Sequence, residues 1–222
     1  MDVEFTTNLS IWVQLASFVA VGGLGMTVAP RHEILKEMIK IEIGVQAVEL
    51  GFYYAFLRNL SITNVSSMAR TRYYDWVLTT PTMLFTTINY FVYEKFPERN
   101  LTVGQIWEEY KEEISIILFT NFLMLVVGYL GEIGRIPKSK STAMGFLFLL
   151  MSFGHMYECF VKDSTETAQR LFSAMFTVWA IYGVAAMLSE EKKNITYNFL
   201  DIVAKNFFGI FLYLKVRALR IS

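Results

Sequence analysis

Apolar runs of about twenty residues recur along the whole of this 222-residue chain. A helix of that length crosses the hydrocarbon core of a bilayer, and in lipid only a helix or a closed barrel satisfies its own backbone. Seven such segments can be placed, at about 9–30, 33–58, 70–95, 112–133, 138–161, 166–188 and 195–218. They predict an all-α integral membrane protein, a seven-transmembrane-helix bundle forming one domain over residues 1–222. The connections are short, so neighbouring helices run antiparallel. An odd number of crossings puts the termini on opposite sides. Lys215, Arg217 and Arg220 gather at the end of the last segment, which predicts a cytoplasmic C-terminus and an outside N-terminus. Arg135, Lys138 and Lys140 run against this sign, since they then fall in an outside loop. The Gly-Gly-Leu-Gly at 22–25 is expected to let helices pack closely.

Composition agrees. Hydrophobic residues make up 54% of the chain and the net charge is zero, so nothing points to a nucleic-acid partner. Cys159 is the only cysteine, which excludes a disulfide framework and a cysteine-based metal site within one chain. The acidic start MDVEF lacks the basic region of a cleaved signal peptide.

The charges inside the apolar segments carry the chemistry. In FLDIVAKNFFG, residues 199–209, Asp201 and Lys205 are four apart and share a helix face. Buried membrane charges pair with one another and mark function. Two readings stay open for this pair: a structural ion pair, or a lysine that binds an aldehyde as a Schiff base with the carboxylate as its anion. In the third segment, Arg72, Asp75 and Thr79 also share a face, and Trp76 offers a flat apolar wall for a long conjugated ligand. Pro81 interrupts the helix bonding there, and a hydroxyl such as Thr80 can compensate.

RYYDWVLTTP, residues 72–81, resembles the third-helix signature of the microbial rhodopsins, and DIVAK, residues 201–205, their seventh-helix retinal-binding motif. VVGYLGEIG (126–134) and WAIYG (179–183) are similar to the fourth- and sixth-helix signatures of the proteorhodopsin branch. The length and sparse loops resemble the rhodopsins of large DNA viruses of algae. The resemblance implies all-trans retinal, bound covalently to Lys205 as a protonated Schiff base. It implies Asp75 as primary counterion and proton acceptor, Asp201 as second counterion, and Arg72 as the arginine beneath them. Trp76, Thr80 and Met83 match the third-helix wall of the retinal pocket, and Asn121, Met124 and Gly128 the fourth-helix wall. Ser152 and Met156 match the fifth-helix wall, and Trp179 and Tyr182 the sixth-helix aromatics. Tyr53 is expected as a second-helix partner of Asp201. Family members form trimers and pentamers, so a homo-oligomer in a lipid bilayer is implied.

Departures from the family pattern bear on mechanism. Pumps of the family often carry a carboxylate donor eleven residues after the primary counterion; here Thr86 stands there. Glu42, eleven residues before Tyr53, is expected near the same depth and can hold the missing proton. A carboxylate paired with Lys40 or Lys36 is the alternative, and Glu49 is a rival donor. The sixth-helix proline is replaced by Gly183, and no acid clearly matches the release group near Lys193 and Asn194. The leading expectation is a light-driven outward proton pump. A light-gated cation channel is the first rival, because Lys40, Glu42, Gln46 and Glu49 can line a hydrated path. A photosensory rhodopsin is the second. An inward chloride pump is disfavoured by the fixed anion at Asp75, and no enzymatic activity is expected.

Overall fold

The structure is a computed structural model that describes residues 2–24, 33–59 and 65–221. Among them the chain forms seven helical segments and no strand. α1 runs Val3–Phe18 and ends in a π-helical turn, Val19–Leu24. α2 is Glu33–Asn59, α3 Val65–Lys95, and α4 Val103–Glu132. α5 is Lys138–Met156 and continues through a π-helical turn, Tyr157–Val161. α6 is Glu166–Ala185. The seventh segment is α7, Glu190–Asp201, then a π-helical turn, Ile202–Asn206, then α8, Phe207–Ile221. Consecutive segments pack side by side, and α7 returns to pack on α1 and α3, which closes the bundle.

The expected seven crossings are present with shifted ends. The first segment starts at Val3 rather than 9, because the Asp2 side chain accepts from the Phe5 amide at 2.8 Å and caps the helix. The rest of the first expected segment, residues 25–30, lies outside the described residues. The fourth segment begins nine residues earlier than expected. Thr102 and Gln105 form a capping box there, and the first turns are charged and exposed before a kink at Tyr110. The seventh starts at Glu190, not 195. Gly22 and Gly23 are not close-packing points: a Cβ on Gly22 would meet Ile43 at an ordinary 3.9 Å, and one on Gly23 would meet nothing within 4 Å.

Among the described residues, three helices are long and apolar enough to cross a membrane by length and composition alone: Val3–Gly23, Val103–Glu132 and Lys138–Val161. α2, α3 and the seventh segment are diluted by charges, and the bundle turns those charges inward. Glu42, Glu49, Arg72, Asp75, Asp201 and Lys205 are all buried. The outer faces are apolar instead, with Phe119, Phe122, Leu147, Leu150 and Val184 exposed. This inside-out distribution is what a lipid solvent selects.

The two faces of the bundle can be told apart by which terminus they carry. The N-terminal face holds the starts of α1, α3, α5 and α7; the C-terminal face holds the ends of α3 and α8. On the C-terminal face, Glu94 ties three segments together. It accepts from Tyr90 at 2.6 Å, from the α6 cap residue Thr165 at 2.9 Å, and from Lys215 of α8 at 3.3 Å.

Candidate functional site

The centre of the bundle is an ionic cluster built by α2, α3 and the seventh segment. Lys205 Nζ lies 2.5 Å from Asp75 Oδ2, 3.5 Å from Glu49 Oε1 and 3.7 Å from Asp201 Oδ1. Lys205 sits in the π-helical turn that follows Asp201. That turn widens the helix locally and rotates the lysine between α2 and α3; π-bulges of this kind gather at functional sites. Arg72 forms the second cation, 2.7 Å from Asp201 Oδ2. Two cations therefore face three carboxyls, and the cluster is neutral when one carboxyl holds a proton.

The two aspartates are held differently. Asp201 is saturated with donors: Tyr53 at 2.6 Å, Tyr182 at 2.6 Å, Arg72 at 2.7 Å and the Trp76 indole at 3.3 Å. A carboxylate with that many donors is fixed as an anion acceptor. Asp75 meets only Lys205, and its Oδ1 has no hydrogen-bond partner among the described residues. Thr79 does not supply one. Its hydroxyl donates to the Asp75 backbone carbonyl at 3.0 Å, one helical turn back, so it braces the backbone and leaves the carboxylate free.

Toward the N-terminal face, Arg72 is locked by Tyr53 at 2.7 Å and by Asn198, whose amide donates to Thr6 and Thr7 of α1 at 2.8 and 3.1 Å. The ring of Tyr53 also lies 5.2 Å from the guanidinium. Asn198 was not singled out by sequence reasoning. Its signal is the three-residue spacing to Asp201, which puts both on one face.

Toward the C-terminal face lies a row of buried polar groups. Glu42, Gln46, Glu49 and Tyr53 follow one another down one face of α2, at four, three and four residues. Glu49 is therefore part of the central cluster, and Gln14 of α1 donates to it at 3.2 Å. Glu42 lies seven residues toward the C-terminal face, about 10 Å along the helix. It is fully buried beside Thr86, whose hydroxyl donates to the Thr82 carbonyl at 2.9 Å. Neither Lys40 nor Lys36 pairs with it: Lys40 is exposed, and Lys36 lies 3.8 Å from Glu33. Both carboxyl oxygens of Glu42, both polar atoms of Gln46, and those of Asn206 lack hydrogen-bond partners among the described residues.

On the other side of Lys205 a cavity opens between α3, α4, α5 and α6, about 900 Å³ with its mouth included. Trp76, Thr80 and Met83 wall it from α3, Met124 and Gly128 from α4, and Trp179 and Tyr182 from α6. Thr80 also accepts from Asn121 at 3.0 Å, which fixes α4 against α3. The lysine at one end, flat aromatic walls and few polar groups match the shape and chemistry of a long conjugated aldehyde, so the residues present fit retinal. The α5 wall differs from expectation. Ser152 and Met156 are buried but do not line the cavity; Ser152 donates to the Ile117 carbonyl at 2.9 Å. Phe146 and Leu149 take that wall, because the α5 register turns them toward α6.

A second buried cluster sits nearer the N-terminal face. Lys193 Nζ, fully buried, contacts Glu132 of α4 at 2.6 Å and Glu190 at 2.9 Å, and Lys138 of α5 reaches Glu190 at 3.1 Å. The residue expected near the release position thus serves as a cationic tie between α4, α5 and α7. Removing one partner of a buried pair strands the other charge. Lys193→Met is expected to destabilise the apoprotein by about 3–5 kcal/mol, read as a lower midpoint in thermal or denaturant unfolding.

Comparison with known proteins adds independent observations. A model of the bacteriorhodopsin-like proteins matches residues 5–219. The chain is 24% identical to bacteriorhodopsin-I of Haloquadratum walsbyi, over 94% of this chain and 87% of that protein. It is 23% identical to a green-light absorbing proteorhodopsin of the gamma-proteobacterium EBAC31A08, over 96% and 87%. Among solved structures, the viral rhodopsin OLPVRII superposes with a TM-score of 0.84 at 28% identity, covering 95% of each chain.

Proposed function

The chain belongs to the bacteriorhodopsin-like family of integral membrane proteins, and on that premise we propose that it is a retinal-binding, light-driven outward proton pump. The observation that carries the reading is Asp75 Oδ2 at 2.5 Å from Lys205 Nζ, with its other oxygen unpartnered. Bound retinal would supply a light-driven isomerisation that reorients the N–H at the end of Lys205. Asp75, less encumbered than Asp201, is the carboxylate able to take the proton from Nζ. Arg72, Tyr53 and Asn198 lie between it and the N-terminal face and define the exit side. Glu42 lies on the opposite side and can return a proton. Between Glu42 and the C-terminal face, α2 presents Leu35, Met38 and Ile39, all buried in the apolar core with Ile88 and Leu212. An apolar plug of this kind keeps protons from leaking back.

The unpartnered row of Glu42, Gln46 and Asn206 favours one second reading, a light-gated cation channel. Buried polar groups without protein partners hold water, and water carries ions. Illumination separates the two. Cells or vesicles loaded with retinal are expected to acidify the outside in light, and a protonophore is expected to abolish the signal. Asp75→Asn is expected to remove that signal and to shift the absorption band to the red, because the negative charge nearest Nζ is gone. A photocurrent that reverses sign with applied voltage assigns passive conduction instead, and light absorption with neither signal assigns a sensor.

A further inference from the structure

Phe146 of α5 and Gly183 of α6 meet in the wall of the cavity that Lys205 also lines. They fit as a matched pair. A Cβ built on Gly183 would lie 2.8 Å from Phe146 Cζ and 3.0 Å from its Cε2. The ring thus occupies the volume that any side chain at 183 would need. Gly183 is fixed in a regular helix, so the flexible partner must yield. Gly145, one residue before Phe146, also lines the cavity and has nothing within 4 Å of an added Cβ.

We propose that Phe146 and Gly183 together gauge the size of the chromophore's terminal group, and so determine which retinoids the protein accepts. This rests on the reading of the cavity as a retinal site. A polyene attached at Lys205 would share this cavity with Trp76, Met124, Trp179 and Phe146, so its terminal group would have to fit beside the Phe146 ring. Interiors are close-packed, and inserted atoms force side chains from their places. A methyl group at 183 pushes Phe146 into the space the terminal ring needs. Removing the Phe146 ring enlarges that space.

The test uses purified full-length apoprotein and three probes: all-trans-retinal, an acyclic analogue with a slimmer terminal group, and an analogue with an added bulky ring substituent. Pigment formation, apparent affinity and absorption maximum are read for each, with the unfolding midpoint of the apoprotein as a chromophore-independent control. Gly183→Ala is expected to weaken all-trans-retinal about tenfold while leaving the acyclic analogue close to wild type. Phe146→Ala is expected to admit the bulky analogue that wild type excludes. The double variant is expected to recover all-trans-retinal binding, because the clash needs both partners. Equal weakening of all three probes by Gly183→Ala, or no recovery in the double variant, overturns the proposal. If Gly183→Ala does not fold, Phe146→Ala decides alone, and unchanged selectivity between the ring and bulky analogues overturns it. A wild-type protein that forms no pigment with any probe instead overturns the retinal reading, and this inference falls with it.

Discussion

Lys205→Ala is expected to leave the protein colourless after all-trans-retinal is added, with the free-retinal spectrum unchanged. A visible band requires a protonated imine held beside an anion, and only a primary amine in the cavity can form that bond. Lys205 is buried there against Asp75, Glu49 and Asp201. Among the described residues the one other lysine lining the cavity is Lys138, exposed and paired with Glu190. The carboxylates beside it, Glu190 and Glu132, are already held by Lys193. Lys193 is occupied by Glu132 and Glu190. Lys138→Ala should therefore keep its colour, and Lys205→Arg should lose it, since a guanidinium keeps the charge but does not form the imine. A visible pigment in Lys205→Ala would require another attachment residue.

How much of this was legible in the sequence depends on how each residue is marked. Asp201 and Lys205 stand out because charges are costly in an apolar run, and their spacing alone puts them on one face. The same holds for Arg72 and Asp75. Glu49 is equally visible, but the sequence marks it only as a rival donor and not as a neighbour of Lys205. Placing it beside Lys205 needs the vertical register of α2 against the seventh segment, and no local pattern gives that register. The π-helical turn at Ile202–Asn206 is also silent in the sequence, although it decides where Nζ points. α5 was the hardest wall to read. Its apolar run MGFLFLLMSFGHM offers few polar marks to fix rotation about the axis, so Ser152 and Met156 were chosen where Phe146 and Leu149 face the cavity. Lys193 sits in the polar stretch SEEKKN, which carries no mark of its burial. Its burial depends on Glu132, sixty-one residues earlier, which arrives only through tertiary packing.

The division of labour among the carboxyls follows from their partners. Asp201 has four donors, while Asp75 and Glu49 each keep one oxygen open and Glu42 keeps both. A group that must exchange a proton needs a free lone pair within reach of the proton it handles. In the proposed pump that requirement favours Asp75 over Asp201 as receiver, and Asp75, at 2.5 Å from Nζ, is nearer than Glu49 at 3.5 Å; Glu42, farther off, is left to return the proton.

Glu42→Gln is expected to slow the return of the proton to Lys205 by about 10²–10⁴-fold, the usual contribution of a positioned donor. In the proposed pump cycle, once Asp75 has taken the proton from Nζ, the nitrogen must be refilled from the face opposite Arg72, or the cycle stalls. Thr86 cannot refill it, because its hydroxyl is committed to the Thr82 carbonyl and does not release a proton near neutral pH. Glu42 lies about 10 Å from the level of Glu49, with Gln46 on the same helix face between them. Water relayed past Gln46 can bridge that gap. Glutamine keeps the size and the hydrogen-bonding reach of the side chain but has no proton to give, so bulk water becomes the source. Recovery of the dark spectrum after a flash should then slow tenfold for each unit rise in pH, while the wild type stays nearly flat over the same range. Steady pumping in continuous light should fall with it, and the dark absorption maximum should not move, because Glu42 is far from Nζ. Azide or another small weak acid supplied in the medium should restore the rate in the variant by carrying the proton in from solution. Glu49→Gln serves as the contrast. Glu49 is 3.5 Å from Nζ, so its removal should shift the dark spectrum, which Glu42→Gln should leave in place. Unchanged recovery and unchanged pumping in Glu42→Gln would make Glu42 a buried structural carboxyl, with reprotonation drawn directly from bulk water.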